Sequence, residues 1–183
     1  MFKLKGNKLR ASVYYNDTYY FLLTFSGHSI YIMDLKKGYK VLPNDIIDDE
    51  LGYYAKLTLI KSEQIKGNSD KFNQMYNDKK TYQDWIKKII KEYNYKNKTA
   101  LFNNMNRCSL ELTDDEITIS PLNHLRMDHW VGEGISDSAI ITLKSNCSDE
   151  VLGASIKKLL HVVLAVEFKW ILNKITLFIL CIK

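Results

Sequence analysis

The residues whose types and clustering could carry chemistry are the four histidines, the three cysteines and the clustered carboxylates. His124 and His129 lie in SPLNHLRMDHWVGEG with Asp128 and Glu133 close by, a set able in principle to bind a metal ion or move a proton. The spacing fits neither an H-E-x-x-H helix nor a paired-cysteine site, so it reads as a polar loop anchored by Trp130. Cys108, Cys147 and Cys181 are far apart and form no C-x-x-C pair, which excludes a sequence-evident zinc ribbon or disulfide framework and suits a reducing compartment. No phosphate-cradling G-x-x-x-x-G-K-[ST], no dinucleotide G-x-G-x-x-G and no nucleophile elbow G-x-S-x-G is present. A ribonuclease-like use of His28 and His129 with a lysine needs the fold to bring them together. No catalytic residue, metal or cofactor is therefore expected, and the chain reads as a non-enzyme.

The carboxylates say more. Asp45, Asp48, Asp49 and Glu50 suit a helix start, as do Asp149 and Glu150. Asp114, Asp115 and Glu116 in a turn, and Asp128, Glu133 and Asp137 around Trp130, are harder to explain as caps. Carboxylates around an exposed aromatic suit recognition of a basic protein, and these seven residues are the expected partner-binding set. The rival is a nucleic-acid-binding module built on Lys87, Lys88, Lys91, Lys96 and Lys98 with Tyr93 and Tyr95, which would bind with steep salt dependence. A net charge of +5 permits that, but no block of five Lys/Arg residues marks a basic arm, and solvated helix faces account for the excess.

These residues need a scaffold. With 46% hydrophobic and 26% charged residues, the 183-residue chain reads as one globular domain over 1–183, with an atypical apolar tail over 161–183. That tail, HVVLAVEFKWILNKITLFILCIK, is interrupted by Glu167, Lys169 and Lys174, too often for a membrane span. It reads as core or association surface, which leaves monomer and homodimer both open. The start of the chain shows no apolar leader segment. ASVYYNDTYYFLLTFSGHSIYIMDLKKGYKVL predicts a meander of three or four short strands, with Ile30 and Ile32 on one face. A helix capped by Asp48 follows, with Leu51, Ala55 and Leu59 as its stripe. KGNSDKFNQMYNDKK reads as a loop, and TYQDWIKKIIKEYNY as a helix capped by Thr81 with Trp85, Ile86, Ile89, Ile90 and Tyr93 facing inward, stopped at Asn94. NKTALFNNM packs Leu101, Phe102 and Met105; CSLELTDDEITISP is a hairpin turning at Asp114-Asp115; SAIITLKSN is a strand; a last helix starts at Ser148. The order predicts an α+β fold: an antiparallel β-sheet with three or so helices packed on it, in a single domain. DDELG at Asp48 and SDEVLG at Ser148 look alike, but their flanks do not repeat, so shared helix-start chemistry rather than duplication is expected.

Several pieces in order carry a resemblance. Trp85 on its helix, then YNYKNKTALFNNM, Cys108 and EITISPLNH, preceded by ASVYYNDTYYFLLTFSGHSIYIMD with VLPNDIIDDELG and followed by SDEVLGASI, resemble the contact-dependent growth inhibition immunity proteins. The resemblance spans roughly Ala11 to Lys158. Asn94 stands where the family pattern has Gly, the segment after Gly52 departs from it, and the tail beyond about Leu160 does not resemble it. The resemblance implies a cytoplasmic antidote without chemistry of its own. It would bind the cognate C-terminal toxin domain of a delivered effector, often a nuclease, and cover its active site, with no direct part for nucleic acid or membrane. YNYKNKTALFNNM would then be scaffold. Contacts vary between pairs, so the partner-binding set Asp114, Asp115, Glu116, Asp128, Trp130, Glu133 and Asp137 rests on charge complementarity to a phosphate-binding cleft.

Overall fold

A computed structural model describes residues 8–67 and 69–161; the apolar tail lies, from residue 162 on, outside the described residues. The expected meander forms as four strands: β1 (Lys8–Tyr15), β2 (Tyr19–Gly27), β3 (Tyr31–Met33) and β4 (Tyr39–Pro43). The expected hairpin forms as β5 (Asn106–Thr113) and β6 (Glu116–Arg126), which close on two residues with Asp114 at φ 53°. β7 (His129–Val131) and β8 (Ile141–Lys144) add to β6. All eight belong to one antiparallel sheet, joined at its centre by β1 against β5. Ile30 lies just outside β3 and is exposed, so the alternation read over Ser29–Met33 covers only the three residues of the strand.

The structure nonetheless repeats a topology that the flanking sequences do not. β1, β2, β3, β4 and α1 (Asp48–Ile60) repeat as β5, β6, β7, β8 and α5 (residues 149–161). In each half the second strand pairs with the first, third and fourth. The halves meet about an approximate two-fold axis. Ser12 pairs with Ser109, its counterpart 97 positions on, and α1 crosses α5 at Gly52 and Gly153, which are 101 apart. A Cβ on Gly52 would meet the Asp149 carbonyl oxygen at 1.8 Å, and one on Gly153 would meet that of Asp48 at 1.9 Å. Only glycine permits so close a backbone approach. Two lysines complete the symmetry. Lys56 Nζ donates to the Cys147 carbonyl (2.5 Å) and pairs with Asp149 (2.7 Å); Lys157 Nζ donates to the Ile46 carbonyl (2.5 Å) and pairs with Asp48 (2.7 Å).

This explains why Asp48 does not cap α1. Ile47 holds the cap position without a side-chain bond, and Asp48, in the first turn, serves Lys157 instead. Leu51, Ala55 and Leu59 are buried as their spacing predicts, against Val13, Leu22, Leu110 and Ile119 of the sheet and Leu152 and Ile156 of α5. Each fully buried leucine contributes about 2 kcal/mol. Ser148 caps α5, accepting from the Val151 backbone N–H.

Between the halves lie three helices without counterparts among the described residues: α2 (Asp70–Asn77), α3 (Lys79–Glu92) and α4 (Lys98–Phe102). α2 replaces the loop expected from KGNSDKFNQMYNDKK. Ser69 accepts from the Phe72 N–H and Phe72 is its one buried side chain, so its polar composition reflects an almost wholly solvated helix. α3 is capped by Asp78 rather than Thr81; the Asp78 carboxylate accepts from both the N–H and the hydroxyl of Thr81. Two residues past the end of α3, Asn94 takes a φ of 57°, which stops the helix and lets Tyr95 N–H bond back to the Ile90 carbonyl. Trp85, Ile86 and Ile89 of α3 pack with Leu101, Phe102 and Met105 on Tyr14, Phe21 and Leu23, on the sheet face opposite α1 and α5.

Candidate functional site: an aromatic groove and an acidic edge

The face covered by α3 and α4 is not filled. A groove of about 510 Å³ opens between the sheet, α2, α3 and α4, floored by Tyr14, Phe21, Phe25 and Trp130 and rimmed by Lys36, Lys98 and Asp128. A concave apolar cleft with a few polar groups is the usual form of a binding site. Trp85 on its wall keeps a buried indole N–H without an acceptor among the described residues.

Trp130 is not the exposed aromatic the sequence predicts. It is 7% exposed, its Nε1 donates to the Met105 carbonyl, and Tyr14 and Phe102 meet it edge to face. His124 stacks on it at 4.7 Å while its Nε2 lies 2.6 Å from the Met127 carbonyl oxygen. The segment read as a loop is thus the end of β6 and a short strand, β7, turned back on it through Met127 and Asp128. Met127 holds φ 40°, strained for a side chain of its size, and it and Leu125 are exposed beside Asp128.

Asp128 is the fulcrum of the groove's rim. Its carboxylate accepts from Tyr82 Oη (2.6 Å) and Lys98 Nζ (2.7 Å). Partial burial works to raise the Asp128 carboxyl, but the Lys98 and Tyr82 hydrogen bonds outweigh it and hold the group below the usual carboxylate range. The Tyr82 hydroxyl is pushed well up, by burial first and by the Asp128 hydrogen bond and charge after it. Under this rim lies Arg107. Its guanidinium sits over Tyr14 and Phe25, 4.9 Å from each ring centre, with Trp130 at 6.0 Å, and donates from Nε and Nη2 to Ser12 Oγ. Sequence reading missed Arg107, because nothing local marks it.

The other predicted contact residues lie on the side of the sheet where β7 and β8 pair with β6. β6 is 11 residues long, so roughly 35 Å separates the Asp114–Asp115 tip from the turn at Asp128. Glu133 and Asp137 fall between, in the connection from β7 to β8 that runs along β6. Asp114, Asp115, Glu133 and Asp137 are exposed and make no ion pair with another described residue. Glu116 pairs with Lys144 (2.7 Å) and Asp128 with Lys98. The predicted set is therefore one discontinuous acidic edge rather than a cluster around Trp130.

The rival constellations disperse. Tyr93 packs edge to face on Tyr19 and Phe21, Tyr95 Oη accepts from Asn16, Lys98 is held by Asp128, and Lys88 lies over Tyr39. Those tyrosines and Lys98 hold the fold together rather than presenting a stacking face. Cys108 is fully buried, and that burial pushes its thiol up to about 12, which removes it as a nucleophile. Among the described residues no three His, Cys, Asp or Glu side chains gather into a metal cage, and no helix is long and apolar enough to cross a membrane.

Comparison with known proteins places this architecture. Residues 9–162 match the family described as CDI immunity protein. Immunity protein CdiI-YPIII of Yersinia pseudotuberculosis serotype O:3 (strain YPIII) is 29% identical over 164 residues, covering 80% of this chain and 90% of its own. A protein of unknown function from Neisseria meningitidis superimposes with a TM-score of 0.78 at 26% identity, covering 88% of this chain and 98% of its own. The CdiA-CT/CdiI toxin and immunity complex from Yersinia pseudotuberculosis gives a TM-score of 0.74 at 26% identity, covering 86% of this chain and 97% of the matched one. With both halves, the linking helices and the groove inside the matched span, the chain belongs to the CDI immunity protein family.

Proposed function

We propose that this protein is a cytoplasmic antidote that binds a cognate CDI toxin C-terminal domain and blocks its active site, without catalysing a reaction itself. The observation that carries this is the match, over nearly the whole described chain, to an immunity protein whose fold is known from a toxin complex. Two surfaces serve it. The aromatic groove takes a projecting segment of the toxin, with exposed Leu125 and Met127 extending its apolar rim past Asp128. The acidic edge, with Asp114, Asp115, Glu133 and Asp137 unpaired within the described chain, faces the basic cleft expected of a nuclease. Trp130 acts from beneath, as part of the groove's floor.

The test is co-expression with the C-terminal toxin region of the neighbouring locus. Survival of the cells and co-purification of the two chains are expected. Killing with no complex would reject the pairing. If the toxin is a nuclease, its purified activity is lost at equimolar antidote, and the fourfold variant Asp114→Asn, Asp115→Asn, Glu133→Gln, Asp137→Asn slows association most at low salt. Unchanged association kinetics would remove the acidic edge from the interface.

A further inference from the structure

The repeat supplies an internal control for one charged side chain. Arg10 on β1 and Arg107 on β5 are counterparts, 97 positions apart like Ser12 and Ser109, on the same sheet face. Each lies over an aromatic ring of the third strand of its half: Arg10 is 4.4 Å from the centre of Tyr31, and Arg107 is 6.0 Å from that of Trp130. Their electrostatic fates differ. Opposite Arg10 on the neighbouring strand is Glu111, which pairs with it and also takes Lys8 at 2.8 Å. Opposite Arg107 is Tyr14, the counterpart of Glu111, and a phenol offers no compensating charge.

No described carboxylate forms an ion pair with Arg107. The groove's three acids are engaged elsewhere or out of reach: Asp128 holds Lys98 and Tyr82, Asp78 caps α3, and Asp34 is buried without an ion pair to it. Of five guanidinium N–H donors, two go to Ser12 and the others have no acceptor among the described residues. The cation is nonetheless fixed in place by three rings and a serine. A planar, preorganised guanidinium at the floor of a concave apolar site is a receptor for a carboxylate.

Resting on the antidote reading above, we infer that the groove is an acceptor for an acidic side chain carried on an apolar segment of the toxin, with Arg107 as its ion-pair partner. The toxin carboxylate would take, in the complex, the place Glu111 takes beside Arg10. Recognition then runs in both directions, with the antidote offering carboxylates at its edge and accepting one at its groove.

The experiment is a titration of the purified toxin C-terminal domain into wild-type protein, Arg107→Met, Arg107→Lys and Arg10→Met, with thermal melts of each alone. Arg107→Met is expected to weaken binding at least about 30-fold, and Arg10→Met to leave it within a few-fold. Arg107→Lys keeps the charge but loses the fork and is expected to fall between them. A scan of toxin Asp and Glu residues to Asn and Gln should find one whose effect vanishes in the Arg107→Met background. Wild-type-like affinity of Arg107→Met overturns the inference while leaving the antidote reading standing; so does a scan in which no carboxylate couples to Arg107. Failure of wild-type protein to bind overturns both. If wild-type protein alone sediments as a dimer that Arg107→Met dissociates, the occupant is a second copy, and the assignment to a toxin segment falls.

Discussion

The two halves of this molecule share a topology and little sequence, and their differences separate scaffold from specificity. What repeats is the machinery of the helix crossing: an aspartate in the first turn, a glycine at the contact, a lysine reaching back to the other helix. What does not repeat is the back of the sheet. The first half carries α2, α3 and α4 over its aromatic face, and the second presents Thr118, Ser120 and Thr142 on half-buried or exposed positions. The groove exists where the covered half meets the uncovered one, with Tyr14 and Phe21 from the first and Arg107 and Trp130 from the second. Shared positions are held by packing; positions that differ are free to be matched to a partner.

The largest effects test the crossing. Gly52→Ala and Gly153→Ala each force backbone apart, and each is expected to cost about 3 kcal/mol or more in urea unfolding. The double variant should cost clearly less than the sum, because helices displaced for one methyl make room for the other. A tolerated Gly52→Ala alongside a severe Gly153→Ala would break the symmetry. On the unrepeated side, Ser69→Ala removes the α2 cap and is expected to cost about 1 kcal/mol, with loss of amide protection confined to α2 and the start of α3.

Asp128→Asn is expected to cost about 1 kcal/mol at neutral pH, a figure discounted because the side chain is 31% exposed. The sign follows from its depressed pKa. The stabilisation is complete above the ordinary carboxylate value of about 3.9 and disappears as pH falls through the lower folded-state value. Wild type and variant should therefore converge in acid; a gap that widens there would mean that another group carries the effect. The smallest effects sharpen the comparison. Lys56→Met and Lys157→Met are each expected to cost between about 0.5 and 1 kcal/mol, and to match each other, since each lysine holds an equivalent carbonyl and carboxylate at the start of the opposite helix.

Strand alternation at Leu110, Ile117 and Ile119, the helical stripe Leu51–Ala55–Leu59, and the packing of Leu101, Phe102 and Met105 were legible because each obeys a local period. The repeat was not legible, because strands need only alternate apolar residues to keep a fold, and identity survives mainly where two backbones touch. α2 was hidden by its solvated surface, though Ser69-Asp70 was a fair start signal. Trp130 was placed outside because charged residues flank it in sequence; its burial is set by Met105 and Arg107, which no local pattern brings near. The acidic residues were visible in the sequence, but their arrangement along one side of the sheet depends on β6 being shared by β7 and β8.

The central β1–β5 joint has a kinetic consequence. It links residues 91 to 105 positions apart, from Tyr15 with Asn106 to Lys8 with Thr113, whereas most other pairings lie within one half. Closing that joint is the high-contact-order step of folding, so the first strand–helix unit is expected to organise before it docks. During synthesis β1 waits as an open edge, with Val13 and Ala11 on its apolar face, until β5 emerges. A β5 from another chain fits that edge equally well. Refolding yield should therefore fall as protein concentration rises, with strand-exchanged dimers as the side product.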